Sequence, residues 1–156
     1  MKLKIKKLYP DAVIPKYQTK GASGFDLHAL EDITILPGET KLVKTGLSVA
    51  VEEGYELQVR PRSGLSLKTP LRVANSPGTV DSDYRGEVCV IINNTMEPLM
   101  REYTPEEDDR QTFSLIKKGD RIAQGVICPV LQVEFEEVDN LDETDRGSGG
   151  YGSTGK

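Results

Sequence analysis

Residues 47–64 read LSVAVEEGYELQVRPRSG, and this stretch decides the fold class. Apolar side chains occupy every second position in two runs, 47–51 and 55–59, which Glu53 and Gly54 separate. Successive side chains of a strand point to opposite faces, so an alternating run is typical of a strand with one buried face. The stretch therefore predicts two half-buried strands joined by a tight turn.

The rest of the chain repeats this organisation in short apolar runs. Leu131, Val133 and Phe135 alternate and predict a further half-buried strand. Residues 88–92 are continuously apolar and predict a strand buried on both faces. Turn-forming dipeptides separate the runs at Pro37-Gly38, Pro77-Gly78 and Lys118-Gly119. Many short strands punctuated in this way predict an all-β fold, either a sandwich, a barrel or a jelly roll.

Helical signal is scarce. Residues 104–107, TPEE, offer an N-cap threonine, a proline at the first helical position and a glutamate three residues after the cap. Strand-like sequence resumes soon afterwards, so we predict a single turn there. A second short turn is predicted after Ser63, in the sequence SGLSLK.

The 156 residues suit one domain. No apolar run approaches the ~20 residues that span a bilayer. The charged N-terminus, MKLKIKKLYP, also lacks the apolar core of a secretory signal. We therefore predict a cytoplasmic protein, located in the host cytoplasm if its source is viral, without membrane attachment. The net charge of −5 argues against direct nucleic-acid binding.

The charge is unevenly distributed along the chain. Segments 97–109 and 134–145 hold 13 of the 25 acidic residues and one basic residue, Arg101. The remainder has 19 basic and 12 acidic residues, so it carries a surplus of seven positive charges. Such a body could bind a small polyanion, although a mixed solvated surface explains the same charges equally well.

The two cysteines and the single histidine do not suggest a metal site. Cys89 and Cys128 each lie inside an apolar run without metal-ligand spacing. We predict that both are buried free thiols. His28 is predicted to be a surface or interface histidine without a chemical role.

The last eleven residues, 146–156, differ in composition from the rest. Five of them are glycine and none is aliphatic, so a disordered terminus is the simpler interpretation. Arg146, Tyr151 and the Gly, Ser and Thr residues also suit a segment that orders over a phosphate, because glycine lets backbone N–H groups approach an anion. The segment fits part of the P-loop pattern, but no helix follows it, and we reject that interpretation.

Four earlier segments carry polar residues that strand alternation does not explain. They are ASGFDLHA at 22–29, RPRSGLSLK at 60–68, NSPGTVDSDYRGEV at 75–88 and KKGDRIAQGVI at 117–127. Arg62 and Ser63 before a glycine suit a phosphate grip, and Gln124 places an amide on a mostly apolar face. Taken singly, each segment has an ordinary interpretation as a turn, a hairpin or a plain strand.

Together with the tail and in this order, the segments resemble the five motifs of the dUTPase family, nearly letter for letter. The resemblance implies a distorted antiparallel β-barrel or jelly roll of the β-clip type, with one or two short helical turns. It implies a homotrimer in which each active site combines several subunits. Residues 1–145 would form the β domain, and 146–156 a flexible tail that closes over an active site.

The implied activity is that of a dUTP diphosphatase, which hydrolyses dUTP to dUMP and pyrophosphate. This reaction limits uracil in DNA and supplies dUMP for dTMP synthesis. Asp81 matches the catalytic aspartate, which activates a water for attack on the α-phosphorus. Phosphate binding is implied for Arg62, Ser63, Gly64, Gln124, Arg146, Ser153 and Thr154. Uracil and deoxyribose recognition is implied for Asn75, Gly78, Val80, Tyr84 and Tyr151.

Mg²⁺ is the implied cofactor. The three substrate phosphates would hold it, so no side chain is predicted to ligate the metal directly. Asp26 matches a family position with a structural role or an indirect, water-mediated metal role. Tyr84 would pack under the deoxyribose, where a ribose 2′-OH would clash. Tyr151 would stack on the uracil, although the family usually has phenylalanine there.

Residues 95–112 form an insertion between the third and fourth motifs, longer than the hairpin usual in the family. A tolerated surface insertion is the simpler interpretation, because long surface loops cost little free energy of folding. The alternative is an element that binds a protein partner. The insertion interrupts none of the five motifs.

Two other functions compete with dUTP hydrolysis. A dCTP deaminase shares the fold, but the Asp81–Tyr84 pair and the Gly-rich tail favour pyrophosphate cleavage. A non-enzymatic regulator that acts through the insertion is the second alternative, and the presence of Asp81 argues against it.

Overall fold

A computed structural model describes residues 1–97 and 114–150 of the chain. Within those residues it has ten strands and one short α-helix. The strands are β1 Lys4–Lys7, β2 Phe25–His28, β3 Ile33–Ile35, β4 Thr40–Ala50, β5 Tyr55–Arg60, β6 Leu71–Val73, β7 Gly78–Val80, β8 Glu87–Asn94, β9 Ser114–Ile116 and β10 Arg121–Pro129. The helix, α1, spans Ser63–Lys68, which confirms the short turn predicted after Ser63.

The strands form three antiparallel sheets. One sheet has the order β1-β4-β8-β6, the second has the order β2-β10-β5-β7, and the small third sheet pairs β3 with β9. The two larger sheets share one apolar core, to which β5 contributes Leu57, β8 contributes Val90 and Ile92, and β10 contributes Ile122. The sheets do not close on themselves, so the predicted all-β fold takes the form of a distorted jelly roll.

The stretch that predicted two strands does form two, β4 and β5. Glu53 and Gly54 make the turn between them, and Gly54 has a φ of 81°, a conformation that favours glycine. From Glu56 to Arg60, strand β5 alternates between half-exposed and buried residues as predicted, whereas Tyr55 at its start is 37% exposed. Strand β4 differs, because Ser48 between the apolar positions is also buried, with 7% of its surface exposed. This part of β4 lies between β1 and β8, and both of its faces are covered.

The opposite difference appears in β8. We predicted burial on both faces for residues 88–92, but burial alternates there. Val88, Val90 and Ile92 are buried, whereas Cys89 and Ile91 are half-exposed. One face of this strand therefore packs in the core, and the other is only partly covered within one chain.

The strand predicted at residues 131–135 is absent from the structure. β10 ends at Pro129, and Leu131 and Phe135 are 92% and 93% exposed. A strand needs a hydrogen-bonding neighbour, and none of the described strands of this chain pairs with these residues. We define residues 130–141, which carry four further exposed apolar side chains (Val130, Val133, Val138 and Leu141), as the arm.

Two predictions concern other parts of the chain. The helical turn predicted at residues 104–107 lies outside the described residues. Among residues 1–97 and 114–150, no helix has the length and apolar character needed to cross a membrane. The cytoplasmic location stays a prediction.

Candidate functional site

The first group of predicted site residues meets where β2, β10 and β5 pair side by side. The register aligns Gln124 of β10 with Asp26 of β2 on one side and with Arg60 of β5 on the other. Arg62 follows β5 directly. Three segments far apart in the sequence are therefore adjacent through strand pairing alone.

Asp26 is the centre of this group. Its Oδ1 accepts a bond from the Nε of Arg62 over 2.8 Å. Its Oδ2 accepts from the Nη1 of Arg121 over 3.3 Å and from the Nε2 of Gln18 over 3.2 Å. The carboxylate is only 10% exposed, so these bonds replace most of its hydration.

Arg62 is held at two of its nitrogens. Besides the bond to Asp26, its Nη1 donates to the carbonyl oxygen of Arg121 over 3.0 Å. The guanidinium is thereby oriented before any ligand arrives. Ser63 and Gly64, which open α1, are exposed beside it. A cleft of about 590 Å³ lies here, between α1, β9 and the start of β10.

Gln124 is fixed on the same side of the sheet. Its Nε2 donates to the carbonyl oxygen of Pro61 over 2.9 Å. A Cβ atom at Gly24 would lie 2.6 Å from the Oε1 of Gln124, so only glycine leaves room for this amide. Three motif segments thus position one another: 22–29, 60–68 and 117–127.

His28 borders this cluster rather than standing alone on the surface. Its ring is half-buried, and its Nδ1 is buried without a hydrogen-bond partner among the described residues. Burial lowers the pKa of the imidazole, and the nearby cations Arg121, Arg62 and Lys16 lower it further, against the opposing effect of Asp26.

The second group of predicted residues lies in the part of the chain that connects β6 to β8. Gly78 and Val80 belong to β7, which pairs with β5. The side chain of Asn75 lies over Gly78, where an added Cβ would be 3.1 Å from the Nδ2 of Asn75. Asp81 follows β7 and is exposed, and its carbonyl oxygen accepts a bond from the backbone N–H of Tyr84 over 3.2 Å.

Asp81 and Arg62 lie toward opposite ends of β5, whereas Gly78 pairs with Val59 near the Arg62 end. The register pairs Val80 with Leu57, which places Asp81 at the level of Glu56. Arg62 lies beyond the other end of the strand, six residues further along. At the rise of an extended chain, these levels are about 20 Å apart. Within one chain, Asp81 and Arg62 therefore do not share a site.

The charges of the two ends also differ. The cleft at the Asp81 end, about 950 Å³, is lined by four acidic residues and one arginine. These are Glu53, Glu56, Asp81, Asp83 and Arg85. The Arg62 end brings two arginines to one buried carboxylate. A polyanion is attracted to the Arg62 end and repelled by the Asp81 end.

Of the remaining predicted site residues, the structure describes only Arg146. Arg146 is exposed and its Nε donates to the carbonyl oxygen of Gly149, within its own turn. Tyr151, Ser153 and Thr154 lie outside the described residues, as does most of the 95–112 insertion. Cys89 and Cys128 are free thiols inside β8 and β10, and both are half-buried rather than buried. The described residues contain no group of three or more potential ligands for a metal ion.

Two residues of the first group were not singled out in the sequence. Arg121 lies within the segment 117–127, which by itself has an ordinary interpretation as a plain strand. Gln18 lies before the first segment, in a stretch without any pattern. Only the tertiary contact with Asp26 identifies them.

Comparison with known proteins agrees with the motif resemblance. The dUTPase family model matches residues 11–100 and 108–155. A deoxyuridine 5′-triphosphate nucleotidohydrolase from Nautilia profundicola is 54% identical over 156 residues, covering 100% of both chains.

Solved structures give the same result. A variant of the dUTPase of Staphylococcus bacteriophage 80alpha, solved with dUpNHpp, superimposes with a TM-score of 0.88 at 30% identity and covers 99% of both chains. A variant of the dUTPase from phage phi11 of S. aureus has a TM-score of 0.81 at 28% identity, and covers 90% of this chain and 98% of its own. The phi11 structure is described as showing the coordination of a structural Mg(II) ion.

Proposed function

The chain belongs to the dUTPase family and is a dUTP diphosphatase, and from this premise we propose how its residues divide the work of hydrolysis. The 54% identity with a nucleotidohydrolase over the full length of both chains sets the deaminase alternative aside. Asp81 acts as the general base that orients and deprotonates the attacking water. A carboxylate suits this task because its oxygens can align a water for in-line attack on the α-phosphorus.

The observation that carries the proposal is the separation of Asp81 from Arg62 along β5. The Asp81 cleft is acidic and offers a triphosphate little attraction, whereas the Arg62 group is cationic but lacks the base. One functional site therefore takes its base from one copy of the chain and its phosphate ligands from another. This arrangement supports a closed homo-oligomer, for which we propose a trimer.

At the cationic end, the phosphates are bound by a pre-oriented set of donors. Arg62 is held by Asp26, so its free guanidinium edge can meet phosphate oxygens without a further loss of side-chain freedom. Ser63 and Gly64 contribute their hydroxyl and backbone N–H groups, and Gln124 contributes its amide. These donors stabilise the charge that develops on the leaving pyrophosphate.

The segment from Asn75 to Tyr84 recognises the nucleoside. Asn75, Gly78 and Val80 read uracil, largely through backbone groups of this hairpin. Tyr84 packs under the deoxyribose and leaves no room for a 2′-OH. A site built from buried hydrogen-bonding groups rejects the wrong base strongly, because the unmatched groups stay unpaired.

Mg²⁺ is proposed to be bound by the oxygens of the substrate phosphates, which are hard ligands of the kind it prefers. Both carboxylate oxygens of Asp26 already accept bonds from Arg62, Arg121 or Gln18, so Asp26 fits a contact through water better than direct ligation. When bound, the ion neutralises part of the phosphate charge.

The arm supports the proposed assembly. Leu131, Phe135 and Leu141 are 92%, 93% and 86% exposed, and so many large apolar side chains exposed in one short segment are unusual for an isolated chain. Its acidic residues Glu134, Glu136 and Glu137 would complement the lysines of β1, which is an edge strand of its sheet. An arm without a strand partner of its own gains one by crossing to another copy.

The tail at 146–156 is proposed to close over a completed site, with Arg146, Ser153 and Thr154 on phosphate and Tyr151 on uracil. Closure excludes water other than the nucleophile. The β domain then extends to residue 145. A partner for the 95–112 insertion stays a prediction.

The experiment that tests the assignment of the base is Asp81→Asn. Pyrophosphate release is measured with dUTP, dCTP, dTTP and UTP in the presence of Mg²⁺, together with dUTP binding. We expect turnover of dUTP to fall by roughly 10²–10⁴-fold while binding persists. Near wild-type turnover in Asp81→Asn would contradict the assignment.

A further inference from the structure

The loop between Asp81 and Glu87 is held by hydrogen bonds to its own carbonyl oxygens. The Nη1 of Arg85 donates to the carbonyl oxygens of Ser82 and Tyr84 over 2.7 and 2.8 Å. The arginine side chain thereby folds back over the loop that precedes it. The loop presents both Asp81 and Tyr84, so its geometry bears on the base and on the sugar contact together.

One further bond reaches this loop from the interior of the protein. Ser48 lies in β4, is 7% exposed, and donates its hydroxyl to the carbonyl oxygen of Arg85 over 2.7 Å. Arg85 therefore has two anchors. Ser48 holds its main-chain carbonyl, and its own side chain bonds to carbonyl oxygens of the loop. Ser48 belongs to none of the five motif segments.

The hydrogen bond from Ser48 holds the loop, whereas the neighbouring hydrogen bonds from Thr45 and Gly46 hold β8. Next to it, the Oγ1 of Thr45 donates to the carbonyl oxygen of Val88 over 2.5 Å, and the N–H of Gly46 donates to the Oε1 of Glu87 over 2.7 Å. Both of these contacts hold residues of β8. Of this set, the Ser48 hydroxyl reaches the loop itself.

The carbonyl that Ser48 holds belongs to the peptide plane between Arg85 and Gly86. A peptide is planar, so fixing its oxygen also fixes the direction in which Gly86 begins. The ring of Tyr84 lies directly on Gly86, where an added Cβ would be 2.2 Å from the Tyr84 hydroxyl. That hydroxyl in turn donates to the carbonyl oxygen of Glu87 over 3.2 Å. Ser48 is therefore connected to the tyrosine ring through one rigid plane.

We propose that Ser48 is a positioning residue for dUTP hydrolysis, which fixes the Arg85–Gly86 peptide and thereby the sugar-facing ring of Tyr84. This inference rests on the sugar-contacting role given to Tyr84 in the proposed function. Loss of the hydroxyl leaves the carbonyl of Arg85 without this donor and lets the peptide reorient. The ring then no longer closes off the space that a 2′-OH would occupy.

The test compares Ser48→Ala with Thr45→Val, a matched control that removes one buried hydroxyl from the same strand, with its bonds to Val88 and Leu47, without touching the loop. The readouts are the melting temperature and kcat/KM for dUTP, UTP and dCTP. We expect similar losses of Tm in both variants. In Ser48→Ala alone, the preference for dUTP over UTP falls about fivefold, the factor expected for one buried hydrogen bond. The preference for dUTP over dCTP stays within twofold, because Asn75 and Gly78 are held by other contacts.

Two results would overturn the inference. One is an unchanged dUTP-to-UTP preference in Ser48→Ala at an equal loss of Tm. The other is an equal change of preference in Thr45→Val, which would show a general loosening. If Ser48→Ala does not fold, Ser48→Cys keeps the volume with a weaker donor, and an unchanged preference there has the same meaning. A failure of Asp81→Asn to lower turnover would instead count against the proposed function, independently of this comparison.

Discussion

The Nε of Arg62 and the Oδ1 of Asp26 lie 2.8 Å apart, although 35 residues separate them in the sequence. The pair is mostly shielded from water, with 24% and 10% of the two side chains exposed. The carboxylate fixes one edge of the guanidinium and leaves the rest of it for a ligand. In the proposed function, Asp26 of the first segment therefore acts on substrate through Arg62 of the second.

Asp26→Asn should test this relationship. The amide keeps the shape but loses the charge, so the bonds from Arg62 and Arg121 weaken. We expect kcat/KM for dUTP to fall about tenfold or more, and Tm to fall by roughly 4–8 °C. Asp11→Asn is the control, since its exposed pair with Lys118 contributes little. Full activity in Asp26→Asn would mean that Arg62 needs no such support.

Shared sites predict that two inactive variants rescue each other. Trimers of Asp81→Asn and of Arg62→Ala should each be nearly inactive, because every site lacks one of its two functions. When the two chains are unfolded together and refolded as a mixture, roughly a quarter of the sites receive an intact Asp81 from one copy and an intact Arg62 from another. Pyrophosphate release from the mixture measures this rescue. No activity above the sum of the separate variants would mean that both residues act within one chain.

The exposed arm predicts an assembly that depends on its apolar side chains. Leu131→Ser combined with Phe135→Ser should shift the trimer toward smaller species, measured by analytical ultracentrifugation, because burial of two such side chains contributes several kcal/mol (roughly 1.5–3 each). Leu67→Ser is a matched control, since Leu67 is 85% exposed but lies on α1. An intact trimer in the double variant would show that the arm does not hold the assembly.

His28 predicts a specific loss of stability in acid. Burial is the main cause of the lowered pKa of the imidazole, so the unfolded chain takes up the proton at a higher pH than the folded one. Stability should therefore fall as the pH drops below about 6.5, the ordinary histidine value, toward the lowered value. In His28→Gln this part of the acid loss should be absent, and above pH 7.5 the histidine titration should make no difference. Thermal unfolding of both proteins from pH 5 to 8 measures it; parallel curves would contradict the prediction.

The sequence by itself determined the all-β class, β5 with the turn before it, and the chemical inventory. Alternation along β5 and the Glu53-Gly54 turn are local properties of the backbone, because side-chain direction and glycine conformation need no distant partner. The five motif segments likewise identify Asp81, Arg62 and Gln124 as candidate site residues without any information on the fold.

What the tertiary structure decided was which residues meet. Burial of Ser48 and exposure of Phe135 depend on which strands lie alongside. Alternation of apolar and polar residues with a period of two carries no information about which strands those are. The contact of Gln18 with Asp26 left no trace in the sequence for the same reason. The register of β7 on β5 also placed Asp81 and Arg62 at opposite ends of one strand, because strand pairing fixes distances that chain order leaves open.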